Sequence, residues 1–257
     1  MRNKLTDELA VCGLNAVAAI GERHPETINR LFLREDRLPN FTGVCKQLAE
    51  RKRPYKLCGD EELERICKSP HHQGVVAMIV EPVVPGLSPE ELERWADNGE
   101  TGLLLSLVGN DLNLGAIIRS AAFFNARYII LSGGEGDARL STAAYRGAEG
   151  GMEAVQVRQV RRSAAFVKDA SRRLLTIGAD HRSRLRIGDL ALVVRENREG
   201  REKRPGVLLV LGNEETGLPR ELKAQCRYLL RIPGTGFPES LNVAQASAIL
   251  LHTLFEI

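Results

Sequence analysis

With 257 residues and a net charge of +3, the chain is long enough for one large domain or two modest ones, but too weakly charged to prove a nucleic-acid partner. Hydrophobic residues make up 43% of it, and no apolar run approaches the ~18 residues of a membrane-spanning helix, so we expect no membrane segment. The amino terminus lacks the apolar core of a signal peptide, and the five cysteines form no CxxC pair, which favours scattered reduced thiols in a cytoplasmic protein over a metal site.

Residues 1–85 predict a small α/β domain. The apolar run Leu9–Ile20 predicts a helix, and Gly21 directly after it is a common helix stop. Further on, apolar and β-branched runs bounded by turn residues predict strands. The later predicted elements of this domain are a strand at Ile28–Leu33, helices at Val44–Arg53 and Glu61–Cys67, and a strand at Val75–Val80.

A domain boundary is predicted at residues 86–100, where the composition changes. This stretch contains Pro89 and a run of acidic residues, and it closes with Asn98 and Gly99. Proline, glycine and asparagine are typical of connections between domains. We therefore interpret the stretch as a linker that carries a short helix, Pro89–Trp95.

From residue 101 onward, predicted strands and helices alternate. Apolar runs separated by helical patterns indicate parallel strands that helices cover on both faces. The predicted strands lie at Leu103–Val108, Tyr128–Leu131, Glu153–Val157, Leu174–Gly178, Gly206–Leu211 and Tyr228–Ile232. The predicted helices lie at Asn113–Asn125, Ala138–Ala148, Ser163–Arg173 and Leu241–Glu256, and an arginine- and lysine-rich polar stretch before Pro205 carries no predicted element. The fold class is therefore α/β, with a mostly parallel sheet in the larger domain.

The helix that begins near Asn113 is the first candidate functional element. On a helical wheel, Ile117 faces the sheet, whereas Gly115, Arg119 and Ala122 fall on the opposite face. Two residues with almost no side chain flank Arg119 there, so another molecule can approach this face closely. The alternative is a solvated arginine on an amphipathic helix, with Asn113 as an ordinary N-cap.

Two predicted strands of the larger domain end in glycine-rich loops. Gly206–Leu211 stops at Gly212, and Tyr228–Ile232 runs into Pro-Gly-Thr-Gly. In an open α/β sheet the ligand commonly lies at such strand ends. Gly212 would let a flat ring lie on bare backbone, with Glu214 near the reacting groups. Each loop could also be only a turn.

Together, three stretches of this domain resemble the signature motifs of the SpoU (SPOUT) class of RNA ribose 2′-O-methyltransferases. They are Asn113–Ala121, Val210–Pro219 and Arg231–Ala244, in that order. The resemblance implies S-adenosyl-L-methionine-dependent methylation of a ribose 2′-hydroxyl in structured RNA, either rRNA or tRNA. It also implies a deep C-terminal trefoil knot, a homodimer and no metal.

The first domain resembles, more loosely, the ribosomal-protein-like RNA-binding domain that precedes the catalytic domain in many SpoU enzymes. The shared features are Gly13–Val17 and His72–Val75. The implied organisation is an RNA-binding domain over 1–85, a linker over 86–100, and a knotted methyltransferase domain over 101–257.

The resemblance also implies roles for individual residues. The residues that it implies to be catalytic are Asn113, Arg119, Glu214, Ser240 and Asn242, and those implied to bind the cofactor are Gly212, Ile232 and Leu241. Ser240 and Asn242 could instead only cap the last helix. The chain departs from the family pattern at Leu112, where a proline is usual, and at Ala244, where a serine is common.

Two other functions stay open at this point. One is a SpoU-like protein that binds RNA with weak or no turnover, for which Leu112 and Ala244 are the support. The other is an unknotted methyltransferase or dinucleotide enzyme that acts on a small molecule. That class needs a glycine fingerprint after the first strand, which Leu107–Asp111 does not supply, and Ser132–Gly136 lacks the full G-x-G-x-x-G spacing.

Overall fold

The computed structural model describes residues 2–3, 7–134, 137–198, 203–213 and 215–257. In chain order the strands are β1 (Arg2–Asn3), β2 (Glu8–Cys12), β3 (Ile28–Leu33), β4 (Tyr55–Leu57), β5 (Val75–Val80), β6 (Thr101–Leu105), β7 (Tyr128–Leu131), β8 (Gln156–Gln159), β9 (Leu175–Ala179), β10 (Leu185–Arg186), β11 (Val207–Leu211) and β12 (Tyr228–Arg231). The α-helices are α1 (Leu14–Arg23), α2 (Leu38–Glu50), α3 (Asp60–Cys67), α4 (Pro89–Asn98), α5 (Asp111–Phe123), α6 (Thr142–Ala148), α7 (Ser163–Ala170), α8 (Leu190–Glu196), α9 (Arg220–Gln225) and α10 (Val243–Phe255).

The chain divides into two compact units, and each contains its own sheet. The first consists of Met1–Val83, Leu114–Arg119 and Arg139–Ala154, and the second of Val84–Asn113, Ser120–Ala138 and Val155–Ile257. The first unit holds a five-stranded sheet in the order β1-β2-β5-β3-β4. The second holds a seven-stranded sheet in the order β10-β12-β9-β11-β6-β7-β8.

The start of the first unit differs from the predicted helix over Leu9–Ile20, which is wrong. Glu8–Cys12 is a fully buried strand, and α1 begins only after Gly13, whose φ of 105° turns the chain. A short apolar run does not distinguish a buried strand from a buried helix, which explains the error. Gly21 does not stop α1 either. It lies inside the helix, where an added Cβ would come 2.5 Å from Val44 Cγ2, so its role is close packing on α2.

Helix α6 packs inside the first unit, where it covers the α5 residue Gly115. The Thr142 hydroxyl donates a hydrogen bond to the Ala10 carbonyl oxygen at 2.6 Å. A Cβ added to Gly115 would lie 2.5 Å from the Ala144 carbonyl oxygen. The prediction that Gly115 leaves a bare helix face is therefore wrong, because this chain covers the glycine itself. Deletion of residues 1–85 would remove β2, the strand that Thr142 of α6 contacts.

The seven-stranded sheet confirms the predicted fold class. Every neighbouring pair in it is parallel. Its central strands β6 and β11 are buried throughout, and the apolar runs Leu103–Leu105 and Val207–Leu211 in them are typical of buried parallel strands. The last residues of these strands, Leu105 and Leu211, are register partners. The loops that follow them therefore leave the sheet side by side.

Helix α4, in the expected linker region, belongs to the core of the second unit. Its first turn has a capping box, in which Ser88 and Glu91 satisfy each other's backbone N–H groups. Trp95 is fully buried and stacks on Tyr128, with ring centroids 4.6 Å apart and an interplanar angle of 17°. Its indole N–H donates to the Glu100 carbonyl oxygen at 2.9 Å, so the polar end of the ring is also satisfied.

The arginine-rich stretch before Pro205 contains two elements that the sequence pattern does not reveal. They are the two-residue edge strand β10 and the helix α8. On α8, Leu190, Val193 and Val194 are buried and follow the spacing of an amphipathic helix. The surrounding arginines mask this short apolar pattern.

Several properties of the described residues bear on function. None of the helices in the described part of the chain has the length and apolar character needed to cross a membrane. Within those residues, no three histidine, cysteine, aspartate or glutamate side chains are grouped so as to hold a metal ion. All five cysteines are free.

Candidate functional site

The turn after β11 is closed by Asn213. Its Oδ1 atom accepts the backbone N–H groups of Glu215 and Thr216, at 2.8 and 3.1 Å. The Asn213 carbonyl oxygen accepts the N–H of Gly217 at 2.9 Å, and Gly217 has a φ of 68°, which glycine adopts at little cost. An asparagine side chain that accepts backbone N–H groups two or three residues later stabilises a turn, even where the turn is exposed to solvent. The predicted glycine-rich loop is thus a preformed turn at a strand end.

Gly212 is needed for this turn to close. A Cβ added at Gly212 would lie 2.3 Å from the Gly217 carbonyl carbon and 2.4 Å from the Leu218 nitrogen, far inside van der Waals contact. The direction in which a side chain would point is therefore filled by the chain itself. Tight packing therefore requires glycine at this position, and a ligand can contact Gly212 only through its backbone. That a flat ring lies on this backbone stays a prediction. Glu214 lies outside the described residues.

The same asparagine joins the β11 loop to the end of β6. Asn213 Nδ2 donates to the Leu107 carbonyl oxygen at 2.9 Å. Leu107 has a φ of 57°, which leucine rarely adopts. Its N–H donates to Ser132 Oγ at 3.3 Å, and that hydroxyl donates in turn to the Asp137 carboxylate, its oxygens 2.7 and 2.8 Å away. Hydrogen bonds therefore connect the loops after β6, β7 and β11.

Asn113 and Asn242 are brought together, although 129 positions separate them. Asn242 Nδ2 donates to Asn113 Oδ1 at 3.1 Å. Asn242 is also the N-cap of α10, where its Oδ1 accepts the Ala244 N–H at 2.8 Å. One amide therefore caps a helix and contacts a second candidate catalytic residue. Ser240 is exposed and is not the cap.

The N-cap of α5 is Asn110, so the interpretation of Asn113 as an ordinary N-cap is wrong. Asn110 Oδ1 accepts the Leu112 N–H at 2.8 Å. Asn113 lies in the first turn of the helix, three residues after this N-cap. The family usually has a proline where this chain has Leu112. A proline there has no N–H, so it could not donate the hydrogen bond that Asn110 accepts from Leu112.

The two apolar candidates for cofactor contact lie at the carboxyl edge of the same sheet. Ile232, which directly follows β12, is half-buried, and Leu241, two residues before α10, is 42% exposed. Between them runs the glycine-containing segment 233–240, whose residues are all exposed. These apolar side chains are open to a ligand of low polarity.

Arg231, the last residue of β12, is a feature that sequence reasoning missed. Its Nε atom is buried and has no hydrogen-bond partner among the described residues. An unpaired buried donor costs about 1–3 kcal/mol, so most buried donors are paired. The only sequence signal is an arginine at a strand end directly before the Ile-Pro-Gly stretch. Asn213 was also missed, although asparagine next to glycine in a loop is a known turn former.

Arg119 lies on α5 and is exposed. It is six residues beyond Asn113, which is about 9 Å along an ideal helix axis and about a third of a turn around it. The two candidate catalytic residues on this helix therefore point in different directions.

A cavity of about 240 Å³ opens at the carboxyl ends of β6 and β7. None of the described candidate residues lines this cavity. Its lining includes Ser106, Leu107, Ser132, Ser163, Glu221 and Leu222.

Two family models match the chain. The model of the SpoU rRNA Methylase family matches residues 100–252, more than half of the chain. A second model, described as RNA 2'-O ribose methyltransferase substrate binding, matches residues 10–83. The chain therefore belongs to the SpoU rRNA Methylase family, which confirms the resemblance seen in its three motifs.

Several proteins are similar to this chain over nearly its whole length. The 23S rRNA (guanosine-2'-O-)-methyltransferase RlmB of Acinetobacter baylyi is 30% identical, over 93% of this chain and 94% of its own length. The uncharacterized tRNA/rRNA methyltransferase YfiF of Escherichia coli O157:H7 is 28% identical, over 98% of this chain and 69% of its own length. The solved AdoMet-bound rRNA methyltransferase of Sinorhizobium meliloti is 25% identical with a TM-score of 0.73, over 97% of this chain and 87% of its own.

The fit at Gly212 predicts a loss of stability on substitution. Gly212→Ala should lower the free energy of unfolding by about 1–3 kcal/mol, because the new Cβ overlaps backbone atoms. Gly234→Ala is the matched control in the neighbouring loop, where an added Cβ meets nothing within 4 Å. It should change stability by less than about 0.5 kcal/mol. Urea unfolding measures both variants, and equal stabilities would show that the β11 loop does not close on itself.

Proposed function

We propose that the protein methylates a ribose 2′-hydroxyl in rRNA or tRNA with S-adenosylmethionine as the methyl donor. The observation that carries this proposal is the 3.1 Å hydrogen bond between Asn242 and Asn113, which joins the first and third motifs at one edge of the sheet. Membership of the SpoU family supports the same chemistry.

The residues present fit this cofactor. Ile232 and Leu241 flank the exposed segment 233–240 in the sequence, and both have solvent-accessible apolar side chains. Such side chains suit contact with the two faces of an adenine ring. The backbone of Gly212 lies in a preformed turn at the end of β11, where open α/β sheets hold ligands. Bound there, S-adenosylmethionine supplies a sulfonium methyl group that is ready for transfer. The protein's task is to bring the ribose oxygen in line with it.

The 2′-hydroxyl must also lose its proton during attack, and the neighbouring phosphate must be held still. Asn113 and Asn242 are amides without a titratable proton, so we assign them to orienting the ribose. Ser240, exposed on the loop before α10, can contact the same sugar. A guanidinium group almost always keeps its proton, so Arg119 suits the phosphate better than it suits the role of general base. Glu214 is assigned to the site by family resemblance alone.

The names of the relatives and the family model over the first unit support an RNA substrate. RlmB of Acinetobacter baylyi is named for guanosine 2'-O methylation of 23S rRNA, and YfiF is named as an uncharacterized tRNA/rRNA methyltransferase. Residues 1–85 are proposed to bind the RNA, in keeping with the substrate-binding model over 10–83. Residues 86–100, whose helix α4 packs in the core of the second unit, then lead into a proposed catalytic domain over 101–257. We place the enzyme in the cytoplasm, where rRNA and tRNA processing occurs, and we propose that its C-terminal segment forms a trefoil knot as in its family.

The protein is expected to transfer tritiated methyl groups from S-adenosylmethionine to RNA taken from a strain that lacks its gene. RNA from the parent strain, already methylated at the target, should accept far less. Nuclease digestion and mass spectrometry of the nucleosides should identify a 2′-O-methylated product. A methylated base, or cofactor and RNA binding with no transfer, would contradict the proposal.

Variants at Asn242 separate catalysis from helix capping. Asn242→Asp keeps a strong N-cap but loses the N–H that Asn113 accepts, whereas Asn242→Ala loses both. We expect kcat to fall at least about 100-fold in both variants. Only Asn242→Ala should also lose about 1 kcal/mol of stability. Wild-type kcat in Asn242→Asp would reduce Asn242 to a helix cap.

We also infer that two copies of the chain form a dimer through α5 and α10. An aromatic patch on these helices supports this, with Phe123 79% exposed and Phe255 57% exposed. Phe124 joins them, since its ring centroid lies 5.0 Å from that of Phe123 and 5.9 Å from that of Phe255. Exposed apolar clusters of this kind commonly mark protein interfaces, and a symmetric dimer buries the patch against itself.

Arg119 borders the aromatic patch. It precedes Phe123 by four residues on α5, so the two side chains lie on one face of the helix. Asn113 lies about a third of a turn away from this face. A dimer that covers Phe123 would therefore direct Arg119 toward the partner chain. We propose that Arg119 serves the site of the partner.

Mixed dimers test this arrangement. Arg119→Ala and Asn242→Ala proteins should each be nearly inactive alone. After co-refolding, about half of the dimers are mixed, and each mixed dimer holds one intact site and one doubly defective site. Roughly a quarter of wild-type activity should therefore return.

As a control, native mass spectrometry of the co-refolded sample should show that mixed dimers have formed. If Arg119 served its own chain, every site in the mixture would keep one defect. No recovery after verified exchange would contradict the shared site.

A further inference from the structure

Two arginines lie side by side at the carboxyl edge of the seven-stranded sheet. Arg186 ends β10 and Arg231 ends β12, and the two are register partners in parallel strands. Register partners project from the same face of a sheet, and their strands are only about 4.8 Å apart. Like charges placed directly opposite each other repel. Such a pair is stable when an anion lies between its members.

Neither guanidinium group forms an ion pair within the part of the chain that the structure describes. The Nε atom of Arg231 is buried and lacks an acceptor. Arg186 contacts Asp189 through its backbone N–H, which donates to Asp189 Oδ2 at 2.7 Å. The Arg186 side chain is exposed to solvent.

The acidic residues of the neighbouring loops are already occupied. Asp180 follows β9, and its backbone N–H donates to the Leu230 carbonyl oxygen. Its carboxylate, however, pairs with Lys223 at 2.8 Å. Glu239 pairs with His181 at 3.1 Å. Both carboxylates therefore pair with residues other than Arg186 and Arg231.

We propose that Arg186 and Arg231 form an oxyanion-binding site, which takes either a phosphate of the RNA substrate or the carboxylate of the bound cofactor. The inference rests on the proposed function, since that function brings both anions to this edge of the sheet. Guanidinium groups match phosphate and carboxylate oxygens through paired N–H donors. Arg231 directly precedes Ile232, a candidate cofactor contact, and so adjoins the candidate site along the chain.

Charge-removing variants test the pair. They are Arg231→Gln and Arg186→Gln, with Arg172→Gln as the matched control. Arg172 lies just beyond α7, its side chain is 73% exposed, and its ion pair with Asp169 is 3.7 Å long. All three variants remove one positive charge from the second unit. Affinities for S-adenosylmethionine, bulk rRNA and bulk tRNA are measured by calorimetry and filter binding at several salt concentrations.

If the anion is an RNA phosphate, both site variants should bind RNA about 10-fold more weakly, and the slope of log affinity against log salt should fall by about 1. Their affinity for S-adenosylmethionine should stay at the wild-type value. If the anion is the cofactor carboxylate, S-adenosylmethionine should bind about 10-fold more weakly, with RNA affinity unchanged. Methylthioadenosine, which has no carboxylate, should then bind the variants and the wild type equally.

Both site variants should remain folded. Arg231→Gln removes no hydrogen bond at Nε, so its melting temperature should equal or exceed that of the wild type, and Arg186 lies exposed on an edge strand. Site variants that match Arg172→Gln for both ligands would overturn the inference while leaving the proposed function intact. A wild-type protein that binds neither RNA nor S-adenosylmethionine would overturn both.

Discussion

The side chain of Asn213 is the constraint on which the candidate site depends. Its Oδ1 closes the turn after β11, and its Nδ2 holds the carbonyl of Leu107 at the end of β6. Because β6 and β11 are neighbours at the centre of the sheet, one amide fixes the two central loops relative to each other. It also helps to hold Leu107 at a positive φ, a conformation that persists only where the surroundings enforce it.

Hydrogen bonds rather than burial organise this edge of the sheet. Beneath the loops, β6 and β11 are fully buried and supply a rigid base. Above them, Ser240 and Leu241 remain exposed, and Asn242 links the start of α10 to Asn113 on α5. A site that must accept a large RNA cannot be enclosed by the core, so polar side chains have to set its geometry. The buried Nε of Arg231, which has no acceptor among the described residues, is a further polar group at this end of the sheet.

The sequence predicted what depends on local pattern and missed what depends on distant contacts. Strand β7 was predicted with its observed ends, because a short apolar run beside a helical pattern leaves few choices. The helix over Leu9–Ile20 was wrong because the same kind of run also suits a buried strand. The motif residues were predicted, but the pairing of Asn113 with Asn242 was not, since it depends on the order of strands far apart in the chain. The cover over Gly115 was missed for the same reason, because it comes from α6.

The central claim is that the cofactor lies at the edge of the sheet formed by the β11 loop, Ile232 and Leu241. A crystal structure of the protein with S-adenosylhomocysteine, the product left after methyl transfer, tests it most directly. The account predicts an adenine ring in contact with Ile232 and Leu241, beside the backbone of Gly212. Density instead in the cavity lined by Ser106 and Ser163, or anywhere away from these loops, would contradict it.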